Sequence, residues 1–176
     1  MKASAANAGA SVSGLGANST LEITTGGNIT LNATTDVDTV KLVAASTLML
    51  NGMKFIAAIG SVSADTIEAG GTYQTMTSGA GADMLIGFAG GYDTFSGTSA
   101  GLNGDTITGF LASDIIDITN LAFAGATLST AVSGANTKVT VTSGATKSVF
   151  TLDGAWSSAG FHLASDGVAG TFLTHT

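Results

Sequence analysis

The segment Ser78-Gly79-Ala80-Gly81-Ala82-Asp83-Met84-Leu85-Ile86 sets a carboxylate at the end of a glycine-punctuated turn, just ahead of a short aliphatic stretch. It fits the pattern Gly-Gly-x-Gly-x-Asp-x-aliphatic-x at every defining position except the first. Gly79 and Gly81 open backbone conformations closed to other residues, so carbonyl oxygens can be turned toward a common centre. Asp83 adds a hard anionic oxygen, and Leu85 can plug a core. Calcium takes about six to eight such oxygens in loose geometry, so two stacked turns of this kind can share one Ca2+ ion.

Three looser copies follow the same logic. Gly87-Phe88-Ala89-Gly90-Gly91-Tyr92-Asp93 has one extra residue before its carboxylate, Gly101-Leu102-Asn103-Gly104-Asp105 is shorter, and Gly60-Ser61-Val62-Ser63-Ala64-Asp65 lacks the inner glycines. The candidate calcium ligands are therefore Asp83 with Gly79 and Gly81, then Asp65, Asp93 with Gly90, and Asp105. Asp65 and Asp83 are 18 residues apart. In a coil of two nine-residue halves they would lie one above the other, where two carboxylates repel unless a cation intervenes. The competing role for any Asp is to bond its own turn, and that role is expected for Asp36, Asp38 and Asp153.

The elements that must hold these turns read as short strands. Leu21/Ile23, Ile29/Leu31, Val40/Leu42 and Leu48/Leu50 each put two apolar side chains on one face, at starts 8, 11 and 8 residues apart. An Asp followed by Thr or Met and then an apolar residue recurs at 38, 65, 83, 93 and 105. Because Asp keeps one phase of this unit, the spacing predicts an all-β fold, a parallel β-roll or β-solenoid. An antiparallel sandwich is the alternative, since it also spaces strands by about 8 to 12 residues. Trp156, Phe150 and Phe161 are expected to pack the end of the stack as a C-terminal antiparallel cap. The chain divides into degenerate coils over 1–60, the ligand-bearing roll over 61–110, and the cap over 111–176.

Composition narrows the function classes. The 176 residues include 25 Gly and no Pro, with Ala, Ser and Thr making up much of the rest, which is poor helix material. Ten Asp, two Glu, five Lys and no Arg give a net charge of −7, so no basic stripe exists to neutralise phosphates and nucleic acid is excluded. Cysteine is absent, which leaves metal as the available staple for an exported chain. No apolar run approaches the ~18 residues of a transmembrane helix, and the first twenty residues carry no apolar stretch of a signal peptide. His162 and His175 pair with no Ser–Asp set. Asp114 and Asp117 lie on an alternating strand with no aromatic sugar cleft to serve, so no enzyme is expected.

From about residue 60 the chain resembles the C-terminal module of repeats-in-toxin (RTX) proteins, as in serralysin-like enzymes exported by type I secretion. The resemblance rests on the nonapeptide at 78–86. It continues through Asn103-Gly104-Asp105-Thr106-Ile107-Thr108-Gly109-Phe110, Asp114-Ile115-Ile116-Asp117-Ile118 and the tail Phe161 to Thr171 with Asp166-Gly167-Val168-Ala169-Gly170. Ala169 stands where the family has a glycine, and the last four residues lack an acidic and aliphatic terminus. The resemblance implies a calcium-loaded roll with antiparallel capping strands and a secretion signal in the cap, read by an ABC-transporter export complex. It implies an extracellular or cell-surface location. Residues 1–60 look like the repetitive body of a surface-layer protein or adhesin. The protease motif His-Glu-x-x-His is missing, so no proteolysis carries over.

The leading expectation is a non-enzymatic, calcium-binding structural and secretion module, open to self-association or contact with a cell-surface glycan. One alternative is the carrier tail of an extracellular protease or lipase. Another is a metal-free solenoid, which would show threonines in one register; Thr24/Thr25, Thr34/Thr35 and Thr39 do not keep one. A glycan-reading face calls for a row of exposed aromatics, which the sequence does not announce.

Overall fold

The computed structural model describes residues 2–3, 18–33 and 37–176. Asp36, Thr34 and Thr35 lie outside them, as does most of the stretch before Asn18. In chain order the strands are β1 (Lys2–Ala3), β2 (Thr20–Ile23), β3 (Gly27–Asn32), β4 (Thr39–Leu42), β5 (Ser46–Asn51), β6 (Ala57–Ile59), β7 (Thr66–Gly70), β8 (Thr75–Thr77) and β9 (Met84–Ile86). They continue as β10 (Thr94–Gly97), β11 (Thr106–Thr108), β12 (Ile115–Ile118), β13 (Thr127–Ser133), β14 (Asn136–Ser143), β15 (Thr146–Asp153), β16 (Phe161–Ser165) and β17 (Thr171–His175).

The strands alternate between two sheets, so each coil contributes one strand to each. The first sheet runs β1-β2-β4-β6-β8-β10-β12-β17-β16 and the second runs β13-β14-β15-β11-β9-β7-β5-β3. Pairing is parallel from β1 through β12 and from β3 through β15, which makes a parallel β-solenoid of about five turns. The all-β expectation holds, and the sandwich alternative falls on these parallel ladders. The parallel stack reaches Ile118 on the first sheet, beyond the 110 boundary drawn from the glycine pattern.

Alternation along each strand makes the core. In the first sheet Leu21, Val40, Ala58, Met76, Phe95 and Ile116 stand in register and are buried. In the second sheet Ile29, Leu48, Ile67, Leu85, Ile107 and Leu152 do the same. Fully burying one Leu or Ile is worth about 1.5–3 kcal/mol, and these two facing rows run the length of the stack. Ile23 and Leu42 begin a second row on the first sheet, but Gly60, Ser78 and Gly97 continue it. A Cβ on Gly97 would come 2.8 Å from Ser78 Oγ and 2.9 Å from Leu102 Cγ, so small residues there make room for an inserted leucine and a buried hydroxyl.

The C-terminal end changes direction. On the first sheet, β17 pairs antiparallel with β12 and β16 with β17; on the second, β14 pairs antiparallel with β15 and β13 with β14. Phe150 and Phe161 are buried, and Trp156 sits edge-on to Phe110 at 5.3 Å, closing the end of the core as expected. No helix among the described residues is long and apolar enough to cross a membrane.

Candidate functional site

Two corners join the sheets, and each carries its own column of aspartates. The corner entering the second sheet holds Asp65, Asp83 and Asp105, each two residues before an inward-facing core residue, so its side chain also points inward. Asp65 Oδ1 accepts the Ser46 N–H at 2.7 Å, Asp83 Oδ1 accepts the Asp65 N–H at 2.7 Å, and Asp105 Oδ1 accepts the Asp83 N–H at 2.8 Å. Each carboxylate thus binds the backbone of the preceding coil. Asp65 and Asp83 stack one coil apart, as their 18-residue offset requires.

The second oxygens differ along this column. Asp65 Oδ2 takes the N–H of Ser61 in its own turn at 2.6 Å. Asp83 Oδ2 and Asp105 Oδ2 are buried with no hydrogen-bond partner. The difference follows the glycine content of the turns. Gly79 and Gly81 adopt φ of 98° and 122°, left-handed values that favour glycine, and Gly104 adopts 98°. In the turn before Asp65 none of the non-glycine residues has a positive φ, and Ser61 offers its N–H. In the turn before Asp105, the Gly101 N–H goes to Thr98 Oγ1 instead.

Burial pushes the Asp83 carboxyl up to about 7; the Asp65 N–H opposes this, while the Asp105 and Asp65 carboxylates add to it. Asp105 rises to about 6 by burial, opposed by the Asp83 N–H. The Ser78 hydroxyl lies near enough to favour the charged form of Asp105, yet Ser78 Oγ is outside hydrogen-bonding geometry and is itself unpartnered. Buried oxygens left without donors are costly. A proton or a hard cation would relieve that cost.

Asp93 stands on the opposite corner, away from the other three. Asp93 Oδ1 accepts the Gln74 N–H at 3.0 Å and its Oδ2 the Phe88 N–H at 2.8 Å. Below it, Asp114 accepts the Asp93 N–H at 2.9 Å and the Leu111 N–H at 2.8 Å, and above them Asp38 accepts the Ser19 N–H at 2.8 Å. Burial raises both Asp93 and Asp114. Gly90 has no positive φ; its missing side chain leaves space for Phe88 and Thr72, each 2.9 Å from where a Cβ would stand. Asp114 was legible only as a strand residue, because its turn has no glycine signature. Asp38 bonds the coil before it rather than its own turn, and Asp153 offers its carbonyl to Trp156 Nε1 at 2.8 Å.

The donor set at Asp83 and Asp105 fits a hard cation: two carboxylate oxygens without partners, a buried hydroxyl and the carbonyls of glycine-rich turns. No group of three or more Asp, Glu, His or Cys converges among the described residues, so an ion here would take most of its ligands from backbone and water. An open groove of about 500 Å³ runs over this corner, bordered by Ala45, Asp65, Ala82, Asp83 and Thr106.

The same corner as Asp93 displays a row that composition hid. Phe55, Tyr73 and Tyr92 are 71%, 48% and 54% exposed and stack along the solenoid axis, with centroids 5.1 and 5.0 Å apart. Their spacing of 18 and 19 residues matches the coil and was readable in advance. The expectation that the chain lacks an exposed aromatic row is thereby corrected. The rings face one another, so their inner faces are not open for a sugar ring to stack on. Threonines do keep register on the first sheet at Thr20, Thr39, Thr75 and Thr94, but Ala57 and Ile115 interrupt the row.

No protein-family model matches the chain, and none of the curated proteins or solved structures matches it.

Proposed function

We propose that the chain is a non-enzymatic structural module of an exported cell-surface protein, and that it takes up calcium where the Asp83 and Asp105 turns stack. The observation that carries this reading is the pair of buried carboxylate oxygens, Asp83 Oδ2 and Asp105 Oδ2, left without hydrogen bonds at one corner, beside the left-handed glycines Gly79, Gly81 and Gly104. Calcium bound there would neutralise both charges and supply stabilisation to the folded state alone. Asp65 and Asp93 stand outside the core of this site, since both oxygens of each already hold backbone N–H groups. The RTX resemblance of the turn at 78–86 and of the segments at 103–118 and 161–171 supports export by an ABC-transporter route and a place at the end of a surface-layer or adhesin protein. Isothermal titration tests the ion: uptake with Kd of about 10⁻⁴–10⁻³ M is expected, as for extracellular calcium modules. A silent titration at millimolar calcium removes the reading.

The fully bonded carboxylates of Asp65, Asp93 and Asp114 favour a second reading, a metal-free solenoid held by aspartate–backbone ladders. Far-UV circular dichroism in chelator separates the two. An unchanged β spectrum that gains no thermal stability from calcium selects the metal-free solenoid.

A further inference from the structure

The chain has two tyrosines and no cysteine. Both tyrosines occupy one corner, on adjacent coils, with ring centroids 5.0 Å apart and planes 21° from parallel. Tyr73 and Tyr92 are about half exposed, so a small oxidant reaches them. Both hold left-handed backbone, with φ of 62° and 65°, which fixes the two side chains in the same outward direction. The Gly91 that precedes Tyr92 is also left-handed, and the Tyr92 N–H is tied to Ser113 Oγ at 3.3 Å. Phe55 covers the other face of Tyr73 at 5.1 Å and 7°, and it has no phenol. Tyr73 therefore has one coupling partner within its own chain.

We infer that Tyr73 and Tyr92 are a site of oxidative cross-linking, joined as dityrosine by hydrogen peroxide with a haem peroxidase. Each phenol gives up one electron and its hydroxyl proton to become a phenoxyl radical. The two radicals bond through the ring carbons ortho to oxygen, and the hydrogens on those carbons shift to restore the hydroxyls. The chain loses two hydrogens in all, and the peroxide that accepts the two electrons and two protons leaves as two waters. The exposed ring edges let both rings swing the short way needed to bring their ortho carbons together. Stacking replaces a bimolecular radical encounter with an intramolecular one, the situation in which proximity accelerates bond formation most. The product is a covalent staple between two coils of a chain that has no disulfide, and it does not depend on calcium.

The experiment treats the folded chain with peroxidase and peroxide and reads blue dityrosine fluorescence, intact mass and cross-linked peptides. The expected product is a monomer lighter by two hydrogens, with Tyr73 joined to Tyr92, formed about tenfold or more in excess over the same reaction in denaturant. Tyr73→Phe and Tyr92→Phe keep the stack and should each abolish it. Equal yields in the folded and denatured chain, dityrosine found only in covalent dimers, or no dityrosine at all would each overturn the assignment.

Discussion

The Asp83 N–H donates to Asp105 Oδ1 at 2.8 Å, across a separation of 22 residues. One aspartate thus anchors the next through backbone rather than through charge, and the same relationship links Asp65 to Asp83 and Asp93 to Asp114. Like charges recur up each corner, yet every carboxylate in these columns meets at least one amide.

Asp65→Ala should destabilise the fold by about 2–4 kcal/mol, because it orphans two buried N–H groups, those of Ser46 and Ser61. The loss should be equal in calcium and in chelator. Asp83→Asn should behave differently. It keeps an acceptor for the Asp65 N–H and removes a buried charge, so in chelator it should melt no lower than the parent chain while failing to gain stability from calcium. Urea melts of both variants, with and without calcium, check this. A calcium-dependent loss for Asp65→Ala would contradict the assignment of its oxygens.

Stability without metal should fall as pH rises. Asp83 and Asp105 have folded-state values near 7 and 6, above the ordinary 3.8 of an unfolded aspartate. A raised acid favours the folded state while protonated, and that advantage disappears as pH climbs through the folded value. The melting temperature in chelator should therefore decline between about pH 4 and pH 7. Calcium should flatten the decline, and Asp83→Asn should remove much of it. A chelated protein that gains stability over this range refutes the burial of these charges.

Glycine substitutions should separate conformation from crowding. Gly144 has φ of 58° and nothing within 4 Å of an added Cβ, so Gly144→Ala should cost only the left-handed penalty of about 1–2 kcal/mol. Gly81 has φ of 122°, and its Cβ would stand 2.8 Å from the Ala64 nitrogen. Gly81→Ala should cost clearly more, about 3 kcal/mol or above, since strain and a backbone clash add. Equal losses in denaturant melts would mean that the coils separate easily at this turn.

Tyr73 sits between two rings, and each aromatic pair is worth about 0.5–1.5 kcal/mol beyond its buried area. Tyr73→Ala should lose both contacts and cost about 1–3 kcal/mol, whereas Tyr73→Phe should be nearly neutral. Thermal melts of the two variants test the stack. If Tyr73→Ala melts with the parent chain, the stack contributes nothing to the fold.

The coil itself was legible because its two signals, alternating apolar pairs and a fixed Asp phase, are local. The corner that each Asp occupies was not. Half a coil is about nine residues, so the ten residues from Asp83 to Asp93 and the twelve from there to Asp105 each move the chain to the opposite corner. Grouping all four as one site ignored that exchange. Asp114 carried no glycine flag, since its partner is a leucine amide three residues earlier. Phe55, Tyr73 and Tyr92 were hidden by an overall aromatic content of 6%, although their spacing is that of the coil. The unbonded oxygens at Asp83 and Asp105 depend on peptide orientation inside two turns, which no residue pattern reports.

The ladders also have a direction. Every corner aspartate accepts an amide from the coil before it, so no coil is complete until its C-terminal neighbour is in place. The hairpins β14–β15 and β16–β17 each pair antiparallel through short local connections and need no earlier coil to form. Assembly should then be vectorial, seeded at the cap and advancing toward the N-terminus one rung at a time. Deleting the strands before β6 should leave the remaining coils folded, while deleting the cap should prevent the whole stack from forming, as amide exchange on the two truncations would report. A stack of this kind grows from its capped end, and its coils fold in the reverse of their order along the chain.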